Sequence, residues 1–223
     1  MGVAVPAAGS GTRMGGVRKP YLMLGREPVL VHALRPFLAD DRVVAVVVAL
    51  SEADACAPPE WLMGLDPRVR VVAGGATRAE SVRNALGALP DDLDVVAVHD
   101  AARPLVTPEV VARCIDVAAG GEGAVAGCPA VDTMKEVDEL GYVAGTPQRS
   151  RLWHAHTPQV FPAEALRRAY GSGLEGATDD ASLVERTGLP VRMIDGGPVN
   201  LKVTRPSDLT LAEAVLRARA ERP

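Results

Sequence analysis

No apolar run in this 223-residue chain approaches the roughly 18 residues of a membrane-spanning helix, and no membrane partner is expected. No signal-peptide pattern precedes the first strand signal. Basic charge is in short supply too. Lys and Arg number 24 against 28 Asp and Glu, giving a net charge of −4 and a pI near 5.6, which speaks against a nucleic-acid or anionic-lipid surface. Cysteine is sparse: Cys56, Cys114 and Cys128 stand far apart in no metal-like spacing, and read as buried, reduced thiols of a cytoplasmic protein. Lysine is scarcest of all. Only Lys19, Lys135 and Lys202 occur among the basic residues. In a chain that otherwise uses arginine, a lysine marks either a place where a compact, mobile ammonium is needed or a chance survivor of drift in base composition.

Two familiar glycine loops are also missing. Gly9, Gly11, Gly15 and Gly16 do not form GxGxxG, and there is no GxxxxGK[ST]. What stands there instead organises the chain. Val3-Ala4-Val5 signals a short buried strand, Pro6 stops it, and Ala7, Ala8, Gly9, Ser10, Gly11 and Thr12 follow with almost no side-chain bulk. Small residues let backbone N–H groups approach an anion. Arg13 and Lys19 add a fork of donors and a point charge on the same loop. The stretch predicts a nucleotide phosphate held at a strand end.

The rest alternates strand and helix signals. Residues 29–38 carry an apolar stripe at helical spacing, and 43–50 (VVAVVVAL) read as a central parallel strand covered on both faces. Residues 52–65, interrupted by Pro58 and Pro59, predict a broken helix. Residues 69–72 form a third strand that Gly74-Gly75 ends. Thr77-Arg78-Ala79-Glu80 is a capping box, with Val82, Ala85, Leu86 and Leu89 turned to the core. A fourth strand over 94–99 delivers Asp100 at its carboxyl end, Thr107-Pro108 starts a helix, and 123–128 make a fifth strand. This order predicts an α/β fold: three layers around a mostly parallel twisted sheet. Ligands in such sheets bind outside the carboxyl ends of the strands. Loops 7–19, 74–81 and 100–103 therefore meet in one cleft.

From Val131 the pattern changes. Residues 133–143 predict a hairpin turning at Gly141, too polar to pack on the main core. An isolated hairpin is marginal in water, so a projecting β-arm at about 131–150 is expected to be stabilised by another chain. Residues 153–160 (WHAHTPQV) return to the body, and Pro162 starts a helix through Tyr170. Thr178-Asp179-Asp180 begins the next helix, with Thr178 read either as its cap or as a substrate contact. Residues 191–194 and 200–203 read as short strands, and Pro206 opens a last helix facing inward through Leu209, Ala212, Val215 and Leu216. One domain spans 1–223, and no fused downstream enzyme is expected. The four histidines lack a nucleophile partner and read as packing or hydrogen-bonding residues.

PAAGSGTRM with Lys19, GGATRAESV (74–82), HDAARP (99–104), VDTMK (131–135), WHAHTPQ (153–159), TDDAS (178–182) and LKVTRP (201–206) occur in this order. Seven motifs in register closely resemble the 2-C-methyl-D-erythritol 4-phosphate cytidylyltransferase family of the non-mevalonate isoprenoid pathway. The resemblance implies a Rossmann-like nucleotidyltransferase fold. It implies a reaction in which the phosphate of methylerythritol phosphate attacks the α-phosphorus of CTP and pyrophosphate leaves. By the same resemblance Arg13 and Lys19 stabilise the transition state, while Lys202 and Arg149 position the attacking phosphate. Pro6, Ala7, Ala8, Gly9, Gly75, Arg78, Ser81, Asp100 and Ala101 line the nucleotide pocket. Asp100, Arg103, Thr157, Thr178 and Lys202 contact the sugar phosphate. Thr133 and Arg149 cross on the arm into the partner's site of a homodimer. Mg²⁺, held mainly by the CTP phosphates, is the implied cofactor. Relatives carry a proline before the loop lysine and a glutamine after it. Here the order is Arg18-Lys19-Pro20-Tyr21 in a loop one residue shorter, leaving Arg18 as a second candidate for the phosphate. Two alternatives follow: a ribitol 5-phosphate cytidylyltransferase, and a non-enzymatic nucleotide-binding protein of the same fold.

Overall fold

In the computed structural model the described residues are 1–9 and 18–221. Arg13, Ser10, Gly11, Thr12, Gly15 and Gly16 lie outside them. The first strand, β1, is Gly2–Pro6. A 3₁₀ turn, Lys19–Tyr21, leads to the short antiparallel pair β2 (Met23–Leu24) and β3 (Glu27–Pro28) and then to α1 (Val29–Leu38). Next come β4 (Ala45–Leu50), α2 (Glu52–Cys56), α3 (Glu60–Met63), β5 (Val69–Ala73), α4 (Arg78–Ala88) and β6 (Val95–Val98). Beyond these lie α5 (Pro108–Ala119), β7 (Gly123–Pro129), β8 (Glu136–Val137), β9 (Val143–Gly145) and β10 (Trp153–Pro162). The chain closes with α6 (Ala163–Gly171), α7 (Asp180–Glu185), β11 (Val191–Asp195) and α8 (Pro206–Ala220).

Seven strands form one sheet in the order β11-β7-β10-β6-β1-β4-β5. All pairings are parallel except those of β10, which runs against both β6 and β7. The sheet is mostly parallel, as the alternation of strands and helices predicts. Side chains alternate across it. Val3, Val5, Val46 and Val48 face Leu30, Leu34 and Phe37 of α1 and Val111 and Ile115 of α5. Ala4, Val47, Ala49, Val96 and Val98 face Val82, Ala85 and Leu86 of α4 and Leu166 of α6. Both faces are apolar because both are covered. The capping box at Thr77 is formed from both sides, Thr77 accepting from Glu80 N and Glu80 accepting from Thr77 N.

Four expectations change. Residues 153–160, assigned above to no element, belong to the ten-residue strand β10, whose register shifts between Ala155 and Gln159. Pro158 and four polar residues hide its period, and three of them, His156, Thr157 and Gln159, line the cleft described below. Residues 200–203 are not a strand. They join the body through Val203 N–H to Ala102 O (2.8 Å) and through buried Asn200, whose amide donates to Thr157 O (2.9 Å). The cap of α7 is Asp179 and not Thr178, because the Asp179 carboxylate accepts from Ser182 N (2.9 Å). Of the cysteines Cys114 is buried, but Cys56 is exposed and Cys128 half-buried.

The hairpin β8–β9 turns at Gly141, whose φ of +86° suits glycine. Every residue from 131 to 144 is exposed, among them Val137, Leu140, Tyr142 and Val143. Lys135 donates across the arm to Thr146 Oγ1 (2.8 Å), and Arg149 donates to Val131 O (2.7 Å).

Candidate active site

Parallel strands β1, β4, β5 and β6 all end on one side of the sheet, and there the loops meet. Ala7 N–H donates to Ala49 O (2.8 Å) and Gly74 N–H to Leu50 O (2.7 Å), carrying the small-residue segments straight off their strands. The glycines here are required by close approach. A Cβ on Gly74 would lie 2.5 Å from Ala8 Cβ, and one on Gly75 would lie 2.3 Å from Glu80 Cβ. Ser81, on the first turn of α4, accepts from Gly75 N–H (3.1 Å) and donates to Thr77 O (2.9 Å), fixing this loop.

The resulting cleft measures about 630 Å³. Its lining contains Pro6, Ala7, Ala8, Gly9, Gly75, Arg78, Ser81, Asp100 and Ala101, together with Lys19 and Lys202. All nine residues assigned above to a nucleotide pocket are thus brought together. A second cleft of about 320 Å³ adjoins it, lined by Arg103, His156, Thr157, Gln159 and Thr178. Arg78, Asp100 and Lys202 line both and form their common wall. Thr133 and Arg149 lie on the arm and line neither cleft of their own chain.

The common wall is an ionic cluster centred on Asp100, which is 6% exposed. Lys202 Nζ lies 2.8 Å from Asp100 Oδ2, Arg78 Nε donates to Oδ1 at 3.0 Å, and Arg103 Nε reaches Oδ2 at 3.4 Å. Burial alone would raise the Asp100 carboxyl, but Arg78, Lys202 and Arg103 outweigh it and hold it well below the usual carboxylate range. Burial likewise lowers the Arg103 guanidinium against the pull of Asp100. Arg78 is not the solvated first-turn residue its sequence position would allow. It donates twice to fully buried Asp180, at 2.8 and 3.2 Å, and Tyr170 donates to the same carboxylate at 2.5 Å. Burial opposes the Arg78 charge, but Asp180 and Asp100 together raise its affinity for the proton.

Sequence reasoning missed Asp180 as the partner of Arg78. The two acidic residues opening α7 look alike in sequence; one caps the helix and the other turns inward. It also missed Gln159, whose amide donates to Asp179 Oδ2 (2.8 Å) and whose carbonyl accepts from Ala181 N–H (2.8 Å). That pairing ties β10 to the start of α7 and so sets Thr178 at the smaller cleft.

His99 supports the wall from beneath. Its Nε2–H donates to Arg103 O (3.1 Å), and the Thr157 hydroxyl donates to Nδ1 (3.0 Å) while accepting from Asp100 N–H (3.0 Å). Burial pushes this imidazole down to about 4, against the pull of Asp100. The folded value lies below the unfolded one near 6.5, so the stability it contributes is present above pH 6.5 and is lost as pH falls toward 4. Chemical denaturation at pH 7 and pH 5 should differ by about 2 kcal/mol from this group alone. A His99→Gln variant should show a flatter dependence.

A metal ion finds little purchase on protein alone. Among the described residues no group of three His, Cys, Asp or Glu side chains could hold one. Asp100, the one carboxylate among the described residues lining the larger cleft, already accepts from three cations. These residues suit an ion that arrives on a ligand's phosphates and keeps few protein ligands. Among the described residues no helix is long and apolar enough to cross a membrane.

Comparison with known proteins places this geometry. The sequence profile of IspD, 2-C-methyl-D-erythritol 4-phosphate cytidylyltransferase, matches residues 1–218. The 2-C-methyl-D-erythritol 4-phosphate cytidylyltransferase of Symbiobacterium thermophilum is 46% identical over 223 residues, 98% of this chain and 93% of its own. That of Rhodococcus jostii is 47% identical over 214 residues, 95% of this chain and 93% of its own. The crystal structure of the Thermus thermophilus 2-C-methyl-D-erythritol 4-phosphate cytidylyltransferase superposes with a TM-score of 0.80 at 36% identity, covering 97% of this chain and all of the other. The 4-diphosphocytidyl-2C-methyl-D-erythritol synthase of Anaerococcus prevotii gives 0.86 at 27% identity, over 97% and 95% of the two chains. With matched loops, matched sheet and identities well above 30% along nearly its whole length, the chain belongs to the 2-C-methyl-D-erythritol 4-phosphate cytidylyltransferase family.

Proposed function

We propose that this protein joins CTP and 2-C-methyl-D-erythritol 4-phosphate into 4-diphosphocytidyl-2-C-methyl-D-erythritol and pyrophosphate. The observation that carries this reading is the cationic wall shared by two adjoining clefts, one sized for a nucleotide and one smaller and polar. A phosphate monoester is mostly dianionic at pH 7, its second pKa being about 6, so the nucleophile needs no base. What it needs is alignment of two polyanions and neutralisation of the charge that grows on the α-phosphate and on the leaving pyrophosphate. Lys19 meets the α-phosphate from the loop side; Arg13, outside the described residues, takes its transition-state role from the family resemblance alone. Lys202, oriented by Asp100, holds the attacking phosphate from the other side. The attacking oxygen bonds to the α-phosphorus as the bond to the β-phosphate oxygen breaks, and no proton has to move.

Pro6, Ala7, Ala8, Gly9, Gly75, Ser81 and Ala101 receive the cytidine and its phosphates, with Arg78 and Asp100 behind them. Arg103, Thr157 and Thr178 receive the polyol phosphate. Mg²⁺, held mainly by the phosphates of CTP and not by protein side chains, would offset charge on the departing pyrophosphate. The chain is read as one cytoplasmic nucleotidyltransferase domain whose arm, about 131–150, reaches a second copy. The exposure of Val137, Leu140, Tyr142 and Val143 supports a partner there, and Thr133 and Arg149 then complete the partner's site. Mixed dimers test the arm. Arg149→Ala combined with Lys202→Ala should recover activity in heterodimers, because one of the two shared sites keeps both residues.

The overall reading is tested by pyrophosphate release from CTP with each polyol phosphate. Turnover with methylerythritol phosphate and little with ribitol 5-phosphate is expected. Preference for ribitol phosphate, or CTP binding without turnover of either, would overturn it. The relatives named above carry the methylerythritol name.

A further inference from the structure

The turn that carries Lys19 is held from outside the cleft. Lys19–Tyr21 is a single 3₁₀ turn with Pro20 buried, closed by Tyr21 N–H to Arg18 O (3.0 Å) and Leu22 N–H to Lys19 O (3.2 Å). One backbone turn of this length does not fix a lysine by itself. The flanking side chains supply the rest, and both reach one acceptor. The Arg18 guanidinium ion-pairs with Asp54 Oδ2, and the Tyr21 hydroxyl donates to the same oxygen at 2.9 Å. Asp54 stands on α2 and is held in turn by Ser51, which donates to Oδ2 (2.9 Å) and accepts from Asp54 N–H (3.3 Å). The Tyr21 ring meets Trp61 of α3 edge-on, with centroids 5.7 Å apart. Burial pushes the Tyr21 phenol up, against the effect of Arg18, so it remains a donor.

This arrangement also engages Arg18, the second candidate for the phosphate. Its charge is committed to a carboxylate that lines neither cleft. We propose that Asp54 is a positioning residue: by gripping Arg18 and Tyr21, on either side of Lys19-Pro20, it fixes the turn that presents the Lys19 ammonium to the nucleotide cleft. The inference rests on the reading of Lys19 given above.

A double-mutant cycle with a spectroscopic arm tests it. Asp54→Asn should lower kcat about tenfold, since small misplacement of a catalytic group is costly, with the KM for CTP within about twofold of wild type. Tyr21→Phe, which keeps the ring on Trp61, should lower it by less, about threefold. In a Lys19→Ala background Asp54→Asn should cost nothing further, because the residue it acts through is gone. The three lysines of this chain make the second arm practicable. In NMR of lysine-labelled protein, Asp54→Asn should move or broaden the one signal that Lys19→Ala removes, leaving those of Lys135 and Lys202 in place. A repeated tenfold loss in the double variant, or an unmoved Lys19 signal, overturns this inference alone. An undiminished kcat in Lys19→Ala overturns the assignment of Lys19, and this inference with it.

Discussion

Replacing Lys19 by alanine should lower kcat by about 10²–10³, the usual scale for losing one preorganised electrostatic donor, with little change in the KM for CTP. The split follows from where the charge grows. In the ground state the triphosphate spreads its charge over many donors of the cleft, and one ammonium among them matters little. In the transition state charge builds on the α-phosphate and the bridging oxygen, and an ammonium fixed beside them gains most at that moment. Lys202→Ala should cost as much in kcat but should also raise the KM for the polyol phosphate, because Lys202 lines both clefts. Steady-state kinetics with each substrate varied in turn measures both. A Lys19 variant that loses only CTP affinity would assign this residue to ground-state binding.

Asp100→Asn should destabilise the protein by about 3 kcal/mol, the low end of the range for breaking a buried ion pair from one side. The low end applies because Arg78 and Lys202 reach solvent, with side chains 33% and 40% exposed, whereas Arg103 at 11% does not. The variant leaves three cations facing one another across the wall of an anion site. Affinity for CTP should therefore hold or rise while turnover with the polyol phosphate falls, since Lys202 loses the partner that orients it. The difference in stability between wild type and variant should stay level from pH 6 to 9. Asp100 has a depressed carboxyl, so its contribution is present above the unfolded value near 4 and is lost only below it. Denaturation across that range, together with nucleotide titration, checks both halves. Weaker CTP binding in the variant would mean that Asp100 serves the nucleotide directly.

Much of this was legible before any coordinates, and the reasons are local. Eight apolar residues in a row at 43–50 admit little but a strand buried on both faces, and β4 lies there. Thr77 and Glu80 state a helix start in their own side chains, and α4 begins between them. The strand β10 was not legible, because residues that would reveal a period, His156, Thr157 and Gln159, are polar for reasons of the cleft, exposed His154 adds another polar position, and Pro158 interrupts them. Residues 200–203 look like a strand by composition, but what holds them is buried Asn200, the Lys202–Asp100 pair and a bond to Ala102, which no period encodes. The cationic residues of the site were legible as residue types. Asp100 was legible too, as a strand-end carboxylate, but two other carboxylates that orient these cations were not: Asp180 lies 102 positions from Arg78, and Asp54 lies beyond a whole helix and strand from Arg18. A charge announces itself in sequence, whereas its partner is chosen by the fold.

The central claim is that lysines from two distant segments flank one reacting phosphorus and that no residue abstracts a proton. A crystal structure with a non-hydrolysable CTP analogue and methylerythritol phosphate bound together addresses it most directly. The account predicts Lys19 Nζ within hydrogen-bond reach, about 3 Å, of an α-phosphate oxygen and Lys202 Nζ within the same reach of the attacking phosphate, with no carboxylate or imidazole on the attacking oxygen. Finding either ammonium turned away from the phosphates, or a basic side chain seated on the nucleophile, would contradict it.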